Sequence, residues 1–263
     1  MIKIDPKRCI GCKACVNDCL GGAIRLEEGK AVYIKDCFHC GHCVAVCPTG
    51  AVTIPEYDME EVEEYDADTF SIKPENFLHA VKFRRSVRNY KETPIEPEKM
   101  VRILNAGRYT ATARNTQDCR FILIQKELDA FKELVWQEIS HLTEKMGKED
   151  PLARMFQLFY LRQKRDKKDD ALFFNAPSVL VITPGVEILD GGLAAANIEQ
   201  MAVASGAGVL YNGYLMHVIE GSERLKEWLG ITGEQVACCM LMGYPAVTYR
   251  RTAPRKKGKI EWR

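Results

Sequence analysis

The chain has 263 residues, room for one small and one ordinary domain at about 100 to 200 residues each, and its 46% hydrophobic content is enough for a buried core. It contains no run of about 18 apolar residues, and the N-terminus goes straight into MIKIDPKRC without the apolar stretch of a signal peptide, so a cytoplasmic protein with no membrane segment is expected. The net charge of +1 hides a polarity: residues 56–68 carry eight carboxylates and no base, whereas Arg250 to Arg263 carry seven bases and one acid.

In chain order, the first signal is a pair of cysteine runs. Cys9, Cys12, Cys15 and Cys19 fall as C-x-x-C-x-x-C-x-x-x-C, and Cys37, Cys40, Cys43 and Cys47 repeat the pattern, closed by Pro48. Three thiolates on a tight turn can take three corners of an iron-sulfur cube, while the fourth cysteine of each run ligates the other cluster. On that crossed scheme Cys9, Cys12, Cys15 and Cys47 hold one 4Fe-4S cluster, and Cys37, Cys40, Cys43 and Cys19 hold a second. Zinc favours two close pairs with a longer spacer, and disulfides belong to secreted, loop-rich chains; neither explains the duplicated spacing. Thiolates free for iron also argue for a reducing compartment. Cys119, Cys238 and Cys239 lie beside or within apolar runs and read as buried thiols.

The repeat extends past the ligands, because Cys9 to Ile24 and Cys37 to Val52 align without a gap. This stretch resembles the bacterial two-cluster ferredoxin over residues 1–55. Leu20 stands where Pro48 stands in the second copy, which removes a fixed turn but no ligand. The acidic run reads as a solvated linker, 56–73.

A mixed α and β domain, 74–263, follows. Pro74 suits a first helical turn, with Phe77, Leu78 and Val81 at helical spacing, and a second helix fits Glu98 to Gly107. Phe121 to Gln125, Ser178 to Thr183 and Val236 to Met242 read as strands of a central sheet. Asp190 to Ser205 is rich in small residues and apolar on most faces, predicting a buried central helix in which Asn197 needs hydrogen-bond partners. Glu144 to Asp170 reads as a helical excursion able to cap a pocket, or equally as a surface helix pair.

Two polar groups carry the remaining chemistry. RRSVRNY places Arg84, Arg85, Ser86, Arg88 and Tyr90 just after the first helix, offering planar donor forks and a hydroxyl to a phosphate or a carbonyl-rich ring. ATARNTQ, from Ala111 to Gln117, includes Asn115, which donates and accepts at once. Each group alone is also what a solvated face or a polar loop would show. In this order, and with Gly243 to Pro245 as a late G-Y-P, they resemble the FMN-binding nitroreductase family over residues 75–263.

The resemblance implies an α+β fold: a small ferredoxin domain followed by a three-layer domain whose central mixed sheet is flanked by helices. It implies that Arg84, Arg85, Ser86 and Arg88 hold the flavin phosphate and pyrimidine, and that Ala111, Thr112, Ala113 and Asn115 serve the flavin from the other subunit of a homodimer. It sets Gly213, within Leu210 to Tyr214, near the flavin N5. Arg251 is the implied phosphate contact near the end of the chain, with Arg250 and Arg255 as rivals. Asp118-Cys119 departs from the family's usual Pro-Trp. Without an aromatic-interleaved platform or a helix-turn-helix pattern, the basic tail points to a phosphate-bearing cofactor and not to nucleic acid.

The functional expectation is an FMN-dependent oxidoreductase passing electrons between two 4Fe-4S clusters and FMN to reduce a nitroaromatic, a quinone or a related electron-poor compound. Reduced ferredoxin or NAD(P)H would be the donor. The alternatives are an electron-transfer module docking a larger redox complex, and a specialised flavin reaction such as reductive dehalogenation. No side-chain acid or base is required, so no catalytic residue is assigned.

Overall fold

A computed structural model describes residues 1–147 and 149–263. By their contacts these residues form two units: Met1–Ile72 with Ala113–Thr116, and Lys73–Thr112 with Gln117–Arg263.

In the first unit the sequence duplication becomes a duplicated backbone. Strand β1 (Lys3–Ile4) precedes the short helix α1 (Ala14–Asn17), and the hairpin β2 (Ile24–Glu27) and β3 (Lys30–Tyr33) leads to α2 (His42–Ala45) and β4 (Val52–Thr53). β1 pairs antiparallel with β4, Ile4 opposite Val52, and β2 with β3, Ile24 opposite Tyr33. Left-handed backbone recurs at equivalent places in the two runs: Gly11 and His39, Lys13 and Gly41, Gly22 and Gly50. Gly11, at φ +67, has no room for a side chain, because a Cβ there would sit 2.2 Å from the Gly29 carbonyl oxygen. The core of the unit mixes Ile2, Ile24, Val52 and Ile54 with Cys9, Cys15 and Cys43. The acidic segment holds a 3-10 turn at Met59–Glu61 and helix α3 (Ala67–Phe70). Asp58 caps the turn, accepting from Glu60 N at 2.9 Å, and Asp66 caps α3, accepting from Asp68 N at 2.9 Å.

The second unit runs α4 (Pro74–Phe83), α5 (Pro97–Arg108), β5 (Arg120–Ile124), α6 (Leu128–Lys145), α7 (Pro151–Arg165), β6 (Ser178–Thr183), α8 (Ile188–Ala204), β7 (Gly208–Tyr211), α9 (Gly213–Glu220), α10 (Glu223–Leu229) and β8 (Cys238–Gly243). Proline opens α4, α5 and α7, where its missing N–H costs no hydrogen bond. The sheet order is β5-β6-β8-β7, antiparallel throughout, and a parallel bridge from Ser86 to Val209 at the β7 edge makes it mixed.

Alternation along β6 and β8 explains the three layers. Val179, Val181, Cys239 and Leu241 face a core built with Phe131, Ile139, Phe156 and Phe173. Leu180, Ile182, Met240 and Met242 face a second core containing Met100, Ile103, Ala195 and Ile198. Strands buried on both faces read as continuous apolar runs, which is why their sequences carried a strand signal without polar alternation.

Two expectations change, and α4 lies open to solvent. No residue of α4 is buried, and Phe77, Leu78, Val81 and Phe83 are all exposed. α8 is buried along Gly191, Ala194, Ala195, Ile198 and Ala202 but exposes Leu189 and Leu193 on another face. An apolar helix is all-round buried only where both sides find a neighbour, and one chain supplies one side. The Glu144 to Asp170 excursion begins earlier, since α6 starts at Leu128 with a buried stripe of Phe131, Leu134, Val135 and Ile139.

Candidate functional site

The thiols of the crossed set come together in the first unit. Cys9, Cys12, Cys15 and Cys47 line a single small cavity walled by Ile4, Ala31 and Val52. Cys47, from the second run, thus faces three cysteines of the first. The fourth cysteines of the two runs are held alike: Ala23 N donates to Cys19 Sγ and Ala51 N to Cys47 Sγ, each at 3.2 Å. Ala31 N donates to Cys9 Sγ at 3.4 Å, and the Tyr33 hydroxyl to Cys37 Sγ at 3.9 Å.

Donors aimed at sulfur fit a site for anionic thiolates bound to iron. Burial raises the Cys15 thiol and pushes Cys43 up to about 11, the cost of putting a lone thiolate in an apolar setting. For Cys47 burial also acts upward, but hydrogen bonds from the backbone at Thr49, Ala51 and Val52 and from the Thr49 hydroxyl outweigh it and hold the thiol below its ordinary value. Among the described residues no three Cys, His, Asp or Glu side chains are arranged to hold a single metal ion.

In the second unit the basic motif is fixed by its backbone. Val87 N donates to Val209 O at 3.0 Å, Ala246 N to Asn89 O at 2.8 Å, and Lys91 N to Tyr244 O at 2.8 Å, so the segment lies between β7 and the chain leaving β8. Gly208 permits this approach, because a Cβ there would meet Val87 Cγ2 at 2.4 Å. Buried Tyr90 donates to Leu241 O at 3.2 Å and closes the motif onto the sheet.

The three arginines then differ. Arg84 Nη1 donates to Glu199 Oε1 at 3.2 Å. Arg85 donates to the carbonyls of Arg84 and Lys82 at the end of α4 and, through Nη2, to Arg251 O at 3.1 Å, which brings the C-terminal segment against the motif. Arg88 is exposed at the mouth of a cavity of about 760 Å³.

That cavity joins Arg88 to Leu210, Tyr211, Asn212, Gly213 and Tyr214. Asn212 caps α9, its Oδ1 accepting from Leu215 N at 3.0 Å and its Nδ2 donating to Leu172 O at 2.8 Å, so Gly213 opens the helix at the cavity wall. Opposite lie Leu152, Phe159 and Arg162 of α7 and Asp169 beyond it. Arg162 grips Asp169 through two bonds of 2.9 and 2.7 Å, and this partner holds the Asp169 carboxyl below its usual range. The excursion after α6 therefore does face a pocket. Tyr211, Tyr214 and His217 also line it, although the sequence reading named none of them as contacts.

Ala111 and Thr112 belong to the second unit, Ala113 and Asn115 to the first, and none of the four lines the cavity. Asn115 Nδ2 donates to His39 O at 3.1 Å and Phe38 O at 3.3 Å. Asn197 meets its need for a partner by donating to Thr110 Oγ1 at 2.6 Å, a tie between α8 and the end of α5. Glu199, two residues on, went unnoticed in the sequence, where a single acid in a small-residue helix gives no sign that it faces an arginine.

Comparison with known proteins fits this geometry. The model of the nitroreductase family matches residues 81–244, and that of a 4Fe-4S dicluster domain matches residues 8–51. A nitroreductase with bound FMN from Bacteroides fragilis superposes with a TM-score of 0.57 at 20% identity, covering 70% of this chain and 97% of that one. Another with bound FMN, from Desulfitobacterium hafniense, gives 0.53 at 22% identity, covering 70% and 98%. An FMN-dependent nitroreductase from Clostridium difficile gives 0.51 at 17% identity, covering 72% and 100%. At these identities the likeness is one of fold. Comparison with curated proteins found no match. The chain belongs to the nitroreductase family. It is a flavin-dependent oxidoreductase of that family, fused behind a two-cluster 4Fe-4S ferredoxin domain.

Proposed function

We propose that the protein binds FMN in the Arg88 cavity and uses it, together with two 4Fe-4S clusters, to reduce a nitroaromatic, a quinone or a similar electron-poor compound. The observation that carries this reading is the meeting of Arg88 with Leu210–Tyr214 around one cavity large enough for a flavin ring and an acceptor. When bound, FMN accepts electrons singly or as hydride while a cluster passes one at a time, so together they convert between the two.

Within this reading Arg84, Arg85, Ser86, Arg88 and Arg251 hold the phosphate and pyrimidine ends of the cofactor, and Gly213 leaves space at the ring, since beyond its own stretch of chain nothing lies within 4 Å of where its Cβ would be. Arg88 supplies fixed positive charge where reduction adds negative charge. Tyr214, edge-on to Phe159 with ring centroids 5.2 Å apart, gives the acceptor an aromatic wall. Ala111, Thr112, Ala113 and Asn115 reach the flavin of a second copy in a homodimer. Residues 1–55 and 74–263 are the two functional domains and 56–73 their connection. The donor is reduced ferredoxin or NAD(P)H.

The test is an anaerobic purification followed by assays of the isolated protein. It should carry one FMN and about eight irons per chain, two cubes' worth, and should turn over a small quinone or nitroaromatic. Iron of four or fewer after full reconstitution removes the two-cluster reading. A bound flavin that reduces no small acceptor converts the enzyme into a relay.

A further inference from the structure

We propose that Glu199 is a positioning residue for the flavin: from the inner face of α8 it holds the Arg84 guanidinium, and with it the head of the Arg84–Arg88 segment, against the β7 edge. The inference rests on the reading of Arg84 as a ligand of the FMN phosphate.

The geometry is that of a built support. Arg84 Nη1 and Glu199 Oε1 are 3.2 Å apart, and their side chains are 21% and 9% exposed. A carboxylate so enclosed is costly unless paired. Its neighbours along α8, Ala195, Ile198 and Ala202, pack into the apolar core, so packing gives no reason for an acid there. Burial pushes the Glu199 carboxyl up, and the Arg84 charge and hydrogen bond pull it back.

The acid also lies under the part of the sheet that shapes the cavity. Its field raises the Tyr211 hydroxyl and the Cys238 thiol, though burial is the larger cause for both. Tyr211 ends β7 and lines the cavity.

A free arginine explores many rotamers, and a ligand that must order it loses affinity. Tethering one Nη to Glu199 settles the rotamer before the ligand arrives. A guanidinium has five N–H donors, so one bond to Glu199 leaves an edge for phosphate oxygens. The pair is neutral overall. Arg84 therefore contributes directed donors, and net positive charge at the phosphate falls to other arginines.

The experiment compares Glu199→Gln, Arg84→Ala and the double variant as apo-proteins titrated with FMN, with phosphorus NMR of the bound cofactor and a melting curve for each. Glu199→Gln should keep its fold, weaken FMN about tenfold, the lower end of what loss of an outer-shell partner costs at metal sites, and move the phosphate resonance. The double variant should bind no more weakly than Arg84→Ala alone, because Glu199 acts through Arg84. Parent affinity in Glu199→Gln beside weakened Arg84→Ala would overturn the support role and leave the flavin site standing. Parent affinity in both would overturn the flavin reading and this inference with it. Should Glu199→Gln unfold, Glu199→Asp, which keeps the charge but withdraws it by one methylene, is judged by the same FMN titration.

Discussion

Cys9 and Cys37 are equivalent in the duplicated sequence, yet their sulfurs are held by different donors, the Ala31 backbone N–H for one and the Tyr33 hydroxyl for the other. Only the second belongs to a side chain, so a conservative substitution removes it. Hydrogen bonds to cluster sulfurs help set the potential, and a donor offsets part of the charge that reduction adds. Tyr33→Phe should therefore make one cluster harder to reduce, seen in an EPR-monitored titration as one midpoint moving negative while the other stays. Two unmoved midpoints would show that the 3.9 Å contact does no tuning. The proposed ligands could be named from the sequence because the spacing of eight cysteines is a local signal. The supports could not. The Ala31 N–H meets the Cys9 sulfur across 22 positions of sequence, and Arg84 meets Glu199 across 115. Such pairings exist only after the chain has folded.

Elements show the same division. Strands β6 and β8 were readable because both faces are buried and the runs are continuously apolar. β7 was missed because Gly208–Tyr211 is only four residues and begins with glycine. Helix α4 was recognised from its helical spacing alone, and α8, apolar on most faces, was expected to be buried within one chain. Phe77 and Leu78 on α4 are 52% and 50% exposed, and Leu189 and Leu193 on α8 are 66% and 43% exposed. Apolar faces left open on two helices of one unit call for cover, and a second copy of the chain provides it in the proposed homodimer. An obligate interface of this kind buries about 2,000 Å² or more and is rich in apolar residues. Light scattering should give twice the 29.8 kDa chain mass. Leu193→Arg should shift the protein toward monomer and release FMN, because the Ala111–Asn115 segment of the partner would be lost from the site. A flavin-loaded parent of monomer mass would refute the dimer.

At the scale of the whole molecule the informative fact is covalent: a two-cluster domain and a nitroreductase domain share one chain. Joining them raises the effective concentration of one for the other and makes electron delivery intramolecular. If the clusters are the entrance, a single-electron donor needs them and a hydride donor does not. Cys40→Ala removes a proposed ligand of the second cluster while leaving every residue of the Arg88 cavity in place. Turnover driven by reduced ferredoxin should then fall sharply, whereas turnover driven by NAD(P)H, delivered directly to FMN, should persist. The comparison is internal to one variant, so a loss of folded protein would lower both rates together and be recognised as such by its FMN content and melting curve. Full ferredoxin-driven activity in a folded, FMN-loaded Cys40→Ala protein would show that this cluster lies off the inlet path. Equal loss with both donors in such a protein would place the cluster after the flavin, carrying electrons outward, and reverse the proposed direction of flow.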